Sequence, residues 1–120
     1  MRKITRLAAL AFRAGKPFTM DNTSVTVTTD SDDKTKIVAM FLHGHRVAER
    51  NTFHDGISRV HVTLAGWGTP TTRERVNGLL DMLGANAGYY QRNHEQHFFA
   101  GEQPCQVVSA SDWQDVETRC

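Results

Sequence analysis

Between a run of strand-like alternation and a run of helix-spaced leucines stands Gly66-Trp67-Gly68-Thr69-Pro70-Thr71-Thr72-Arg73-Glu74-Arg75. This segment fixes where one kind of structure must give way to the other. Glycine accepts the positive φ a sharp reversal demands, so Gly66 and Gly68 mark a turn. Thr69 before Pro70 reads as an N-cap with proline in the first helical position. Thr71 with Glu74 fits a capping box equally well, and the two starts differ by two residues. Downstream, Val76, Leu79, Leu80 and Leu83 recur at i, i+3, i+4, i+7, the stripe of a helix packed on a sheet. Gly84 ends it.

Upstream, Ser24 to Thr28 alternate, with Val25 and Val27 inward. Lys36 to Leu42 is a more apolar strand. His43-Gly44-His45-Arg46 suits a tight hairpin turn into a short strand over 46–50. Residues 57–64 form a further strand with Val60, Val62 and Leu64 on one face and Arg59, His61 and Thr63 on the other. Residues 2–14 have helical spacing. Ile4, Leu7, Ala8 and Ala11 share one side, and Arg2, Arg6, Arg13 and Lys16 gather opposite. Gly15 and Pro17 stop that helix.

The expected fold is therefore α+β: two layers, an antiparallel sheet of three to five strands with two main helices on one face. The 120 residues suit one domain, 1–120. It would hold an N-terminal helix within 1–16, a meander over 24–64, a second helix over 70–83, a hairpin and last strand over 89–108, and a tail over 109–120. Trp113 and Val116 in the tail suit a short helical turn.

Composition excludes several classes. No apolar run approaches the ~20 residues of a membrane span. The patch Leu7 to Phe12 is broken by Arg13 and has no small-residue cleavage site after it, so a signal peptide is rejected. Two cysteines, Cys105 and Cys120, form no disulfide framework and suit reduced thiols. The net charge is +1, so no partner follows from bulk electrostatics. Its distribution is uneven, with Arg2, Lys3, Arg6, Arg13 and Lys16 at one end of the chain and Asp112, Asp115 and Glu117 at the other.

Several residue groups carry possible chemistry. Free N–H groups at a helix start attract anions, and Arg73 and Arg75 add charge where the helix dipole disfavours it. Trp67 between two glycines offers a ring on which a base can stack. Trp67, Thr71, Thr72, Arg73 and Arg75, with Arg2, Arg6 and Arg13 of the first helix, make a nucleic-acid-binding candidate. The plain alternative is structural: glycines turn, Trp67 plugs the core, threonines cap and Arg73 pairs with an acid. No Walker loop is present.

Tyr89, Tyr90, Phe98 and Phe99 make an aromatic patch, read either as a protein interface or as a hairpin closing the core. His43 and His45 lack the further ligands a metal needs. Asp30-Ser31-Asp32-Asp33 lacks the glycine and distal glutamate of a calcium loop. No metal or cofactor is expected. His61 with Asp55 or Glu49 is the remaining acid–base pairing, and catalysis is not the favoured reading.

From Arg2 to about Leu83 the chain resembles a family of small uncharacterised proteins of tailed bacteriophages. The residues that carry the likeness are Arg2-Lys3-Ile4-Thr5, Ala11-Phe12, Leu42-His43-Gly44, Val47-Ala48, Ala65-Gly66-Trp67, Thr69 to Arg75 and Asn77-Gly78-Leu79. The resemblance implies a phage accessory protein acting in the host cytoplasm, and it implies no activity. The expected function is non-enzymatic binding of DNA or RNA. A protein-interaction module that modifies a host protein is the first alternative, and a small hydrolase or nuclease the second. Self-association is left open, and no membrane is expected as a partner.

Overall fold

The computed structural model describes residues 1–32 and 34–117. Asp33 of the polar loop and the terminal Cys120 lie outside the described residues. Helix α1 (Lys3–Ala14) comes first. Five strands follow: β1 (Phe18–Met20), β2 (Thr23–Thr29), β3 (Lys36–Leu42), β4 (His45–Thr52) and β5 (Ser58–Val62). Then come helix α2 (Pro70–Met82) and strands β6 (Ala87–Arg92), β7 (Glu95–Ala100), β8 (Gln106–Val108) and β9 (Gln114–Val116). The class is α+β, but richer in strands than expected. The strands divide into a six-stranded sheet, ordered β1-β2-β3-β4-β5-β9, and a three-stranded sheet, β6-β7-β8. All their pairings are antiparallel.

The large sheet forms because its strands alternate in register. Val25, Met40, Ala48 and Val62 lie opposite one another across four strands. All four are buried. His43 and Gly44 join β3 to β4, both with positive φ (51 and 79), the twist a two-residue hairpin needs.

Helix α1 lies on this face, rotated from the expected setting. Thr5, Ala8, Ala9 and Phe12 are its buried residues, while Ile4, Leu7 and Ala11 are half-buried at its shoulder. Phe12 is the largest apolar side chain on the helix, and Ala8 and Ala9 allow close approach. Thr5 turns inward because it finds polar partners there. Gly15 closes the helix in a left-handed conformation. Arg50 reaches from β4, donates to the Phe12 carbonyl at 2.8 Å, and lies 5.3 Å from the Phe12 ring centroid. A cation at a helix C-terminus opposes the negative end of the dipole.

Of the two proposed helix starts, the structure adopts Thr69, whose hydroxyl accepts from the Thr72 N–H. Helix α2 packs against α1 and β6. At the helix crossing, a Cβ on Gly78 would sit 2.3 Å from the Thr5 Cγ2. Asn77 docks the small sheet. Its side chain accepts from the Tyr89 N–H and donates to the Tyr89 carbonyl, both at 2.8 Å. Asn77→Ala removes both bonds, and we expect a loss of about 2 kcal/mol. Hydrogen exchange should show β6 and β7 opening ahead of β2 to β5. Equal protection of both sheets would refute this docking role.

The tail also differs from expectation. A helical turn was expected around Trp113 and Val116, but residues 114–116 pair with β5 as β9. The Ala110 carbonyl accepts from the Gly66 N–H at 2.9 Å, tying the tail beside the end of β5. Alternation then turns Val116 toward the core and Asp115 outward.

Candidate functional site

The β3–β4 turn, the loop over 65–69 and the first turn of α2 enclose a cleft of about 310 Å³. Its floor is Leu42, Val47 and Leu64, all members of the core. Its rim carries His43, His45, Trp67, Thr69, Thr71 and Thr72. Ala65 and Gly66 both take positive φ (55 and 85), which throws the chain outward after Leu64. Backbone bonds from the Trp67 N–H to Leu64 and from the Thr69 N–H to Trp67 hold the loop there. Trp67 consequently stands 54% exposed rather than plugging the core. The His45 ring lies 5.7 Å from it, tilted by 44°.

The rim's polar groups are unevenly committed. The Thr69 and Thr72 hydroxyls bond each other at 2.9 Å. The Thr71 hydroxyl, the His43 and His45 imidazoles and the Trp67 ring N–H have no hydrogen-bond partner among the described residues. No lysine or arginine lines the cleft among its lining residues.

The expected nucleic-acid residues separate into three environments. Trp67, Thr71 and Thr72 meet at the cleft. Arg73 braces it from behind, its Nη1 donating to the Gly68 carbonyl at 3.0 Å and to the side chains of Gln91 and Gln96. Arg75 is corrected outright. It is 1% exposed and out of reach of any phosphate. Its Nε donates to Thr23 Oγ1 at 3.0 Å, and its Nη1 to Thr5 Oγ1 at 2.7 Å and Glu74 Oε1 at 2.6 Å. Its Nη2 donates to Asn22 Oδ1 at 3.4 Å. The reason is helical geometry: Arg75 is one turn before Leu79 and shares its inward face.

Lys3, Arg6 and Arg13 are exposed on α1, and Arg2 and Lys16 are exposed just before and after it. Among the described residues none of these five makes an ion pair with a carboxylate. Arg75 relates this helix to the cleft. Thr5 and Asn22 both accept from its guanidinium, and the Asn22 carbonyl accepts the His43 N–H at 2.8 Å. The first turn of α1 and the cleft therefore lie at the same end of the molecule.

The four aromatics of the second hairpin do not form one surface. Tyr89 and Phe98 pair across β6 and β7 and point into the core, 3% and 6% exposed. Burial, with the charge of Asp112 adding to it, raises the Tyr89 hydroxyl pKa above its ordinary value. Tyr90 and Phe99 face outward and are half-buried, with Tyr90 stacked on His97 at 5.0 Å. His61 bonds neither Asp55 nor Glu49. Its Nδ1 pairs with Asp115 Oδ1 across β5 and β9, on the sheet face away from α1.

His43 and His45, which the sequence places in a hairpin turn without a functional role, stand on the rim of the cleft. One signal was available: His43 occupies a turn position where glycine or asparagine is preferred. A side chain kept at positive φ costs about 1–2 kcal/mol and points to a role for that side chain. Among the described residues, no three of His, Cys, Asp and Glu converge as metal ligands.

The chain is thus a small α+β protein carrying an unpaired basic helix and an aromatic cleft. The family model of the Kyanoviridae Gp96 protein matches residues 1–119, and the chain belongs to that phage family. No curated protein and no solved structure matches it. No helix among the described residues is long and apolar enough to cross a membrane.

Proposed function

We propose that this phage protein binds nucleic acid, with phosphates held by Arg2, Lys3, Arg6 and Arg13 of α1 and Trp67 as the stacking contact. The observation that carries the reading is the unpaired basic face of α1, which begins with Arg2, Lys3 and Arg6 at the same end of the molecule as the exposed Trp67 and runs away from it toward Arg13. Surface cations are normally interspersed with carboxylates, and here five occur in the first sixteen residues with none. Such contacts fix a backbone without reading sequence, so the binding is weakly sequence-specific.

Arg2→Glu, Arg6→Glu and Arg13→Glu together should weaken binding on the order of 100-fold at low salt. They should also reduce the slope of log affinity against log salt by roughly 2. All three side chains are exposed, so the melting temperature should hardly change. Fluorescence anisotropy with labelled single strands, duplex DNA and RNA at two salt concentrations measures both effects. An unchanged affinity in the folded triple variant would remove α1 as the phosphate surface.

A further inference from the structure

We propose that the cleft beside Trp67 takes one unpaired nucleobase, carried by a single strand or by a free nucleotide. The inference rests on the nucleic-acid reading and makes it specific. It starts from how charge is distributed. The cleft has an apolar floor and no lysine or arginine in its lining, yet cations crowd the first turn of α1 at the same end of the molecule. An occupant that suits both is uncharged where it enters and anionic just beyond. A nucleobase joined to a phosphate has that division.

The shape agrees. A volume of about 310 Å³ is at the small end of ligand pockets, room for one planar ring system rather than a base pair. Leu42, Val47 and Leu64 present an apolar floor, and Trp67 and His45 supply rings on which a base can stack. The uncommitted groups then match a base edge. A hydroxyl and an imidazole each donate and accept, so Thr71, His43 and His45 can meet either kind of edge atom. A base in a duplex is stacked and paired and cannot enter. The cleft therefore selects single strands and free nucleotides.

His43 supplies the discriminating variant. Asparagine tolerates the left-handed backbone better than histidine, so His43→Asn should preserve or raise stability while removing the imidazole. A purely structural His43 would leave binding unchanged. We expect a drop of roughly 2–10-fold in affinity for oligothymidylate, the loss of one hydrogen bond. For Trp67→Ala we expect roughly 10–100-fold.

The decisive experiment uses the full chain carrying Trp113→Phe, which leaves Trp67 as the sole tryptophan. Four probes are titrated at low salt: oligothymidylate, an abasic deoxyribose-phosphate oligomer of equal length, duplex DNA and thymidine monophosphate. Anisotropy reports binding of the three oligomers, and Trp67 emission reports occupancy of the cleft. Oligothymidylate should bind and quench Trp67. The abasic oligomer and the duplex should bind at least tenfold more weakly without quenching, and the monophosphate should quench at higher concentration. Equal affinity for oligothymidylate and the abasic oligomer, or tight binding with unchanged emission, would overturn the base cleft and leave phosphate binding on α1 standing. Quenching by the monophosphate with no oligomer bound would instead retain the cleft and remove the nucleic-acid reading. Silence from all four probes would overturn both.

Discussion

Arg75→Met should lower unfolding stability by about 3–5 kcal/mol, the cost of breaking a buried charged network from one side. For a chain of this size that is roughly 10–20 °C in melting temperature. The guanidinium is 1% exposed and spends its donors on Thr5, Asn22, Thr23 and Glu74. These acceptors belong to α1, the β1–β2 turn, the start of β2 and α2 itself, so one side chain ties α2 to α1 and to the head of β2. Methionine matches the length and apolar stem but leaves Thr23 Oγ1 and Thr5 Oγ1 without the donor they accept from. Arg75→Lys should recover only part of the loss, because one ammonium cannot span the same fork. Urea denaturation measures the effect. A loss under about 1 kcal/mol for Arg75→Met would show that the network contributes little net stability.

Gly78→Ala should cost about 2 kcal/mol, although alanine is the better helix former by ~1 kcal/mol. Steric overlap decides the sign. The new methyl would stand 2.3 Å from the Thr5 Cγ2. Thr5 cannot rotate away freely, because its hydroxyl accepts from Arg75 and donates to Glu74. Thr5→Ser removes the obstructing methyl and keeps the hydroxyl. In that background Gly78→Ala should be neutral or stabilising, a coupling of about 2 kcal/mol in a double-mutant cycle. Additive losses would mean that α1 and α2 do not meet at this point.

Both effects fall on residues whose roles were only partly legible in the sequence. Thr69-Pro70 announced the start of α2, and the valines of β2 and β5 announced their inward faces, because capping and period-two alternation are local signals. Strands β1 and β9 have three residues each, too short to show a period. The small sheet is held to α2 by Asn77 gripping Tyr89, a contact between distant elements that no local pattern encodes. Arg75 was misplaced because its charge outweighed its position one turn before Leu79. Tyr89 and Tyr90 were grouped as one patch, although neighbours in a strand must face opposite ways. At the cleft, Trp67, Thr71 and Thr72 come together because the turn and the helix start adjoin in sequence. The two histidines join them only because the β3–β4 hairpin folds back over Leu64.

The grip of Asn77 on Tyr89 also bears on how this molecule meets its own copies. A strand at the margin of a sheet is a template for another chain, and polymers grow when each unit offers such a margin on two sides. Here β1, β8 and β9 end their sheets, and each has three residues. The one longer outer strand, β6, has six, and at its middle the amide and carbonyl are already occupied by a side chain. A single asparagine thus stands where an incoming strand would dock. Its loss would leave a ledge long enough to recruit a neighbour, turning a folding defect into concentration-dependent clumping.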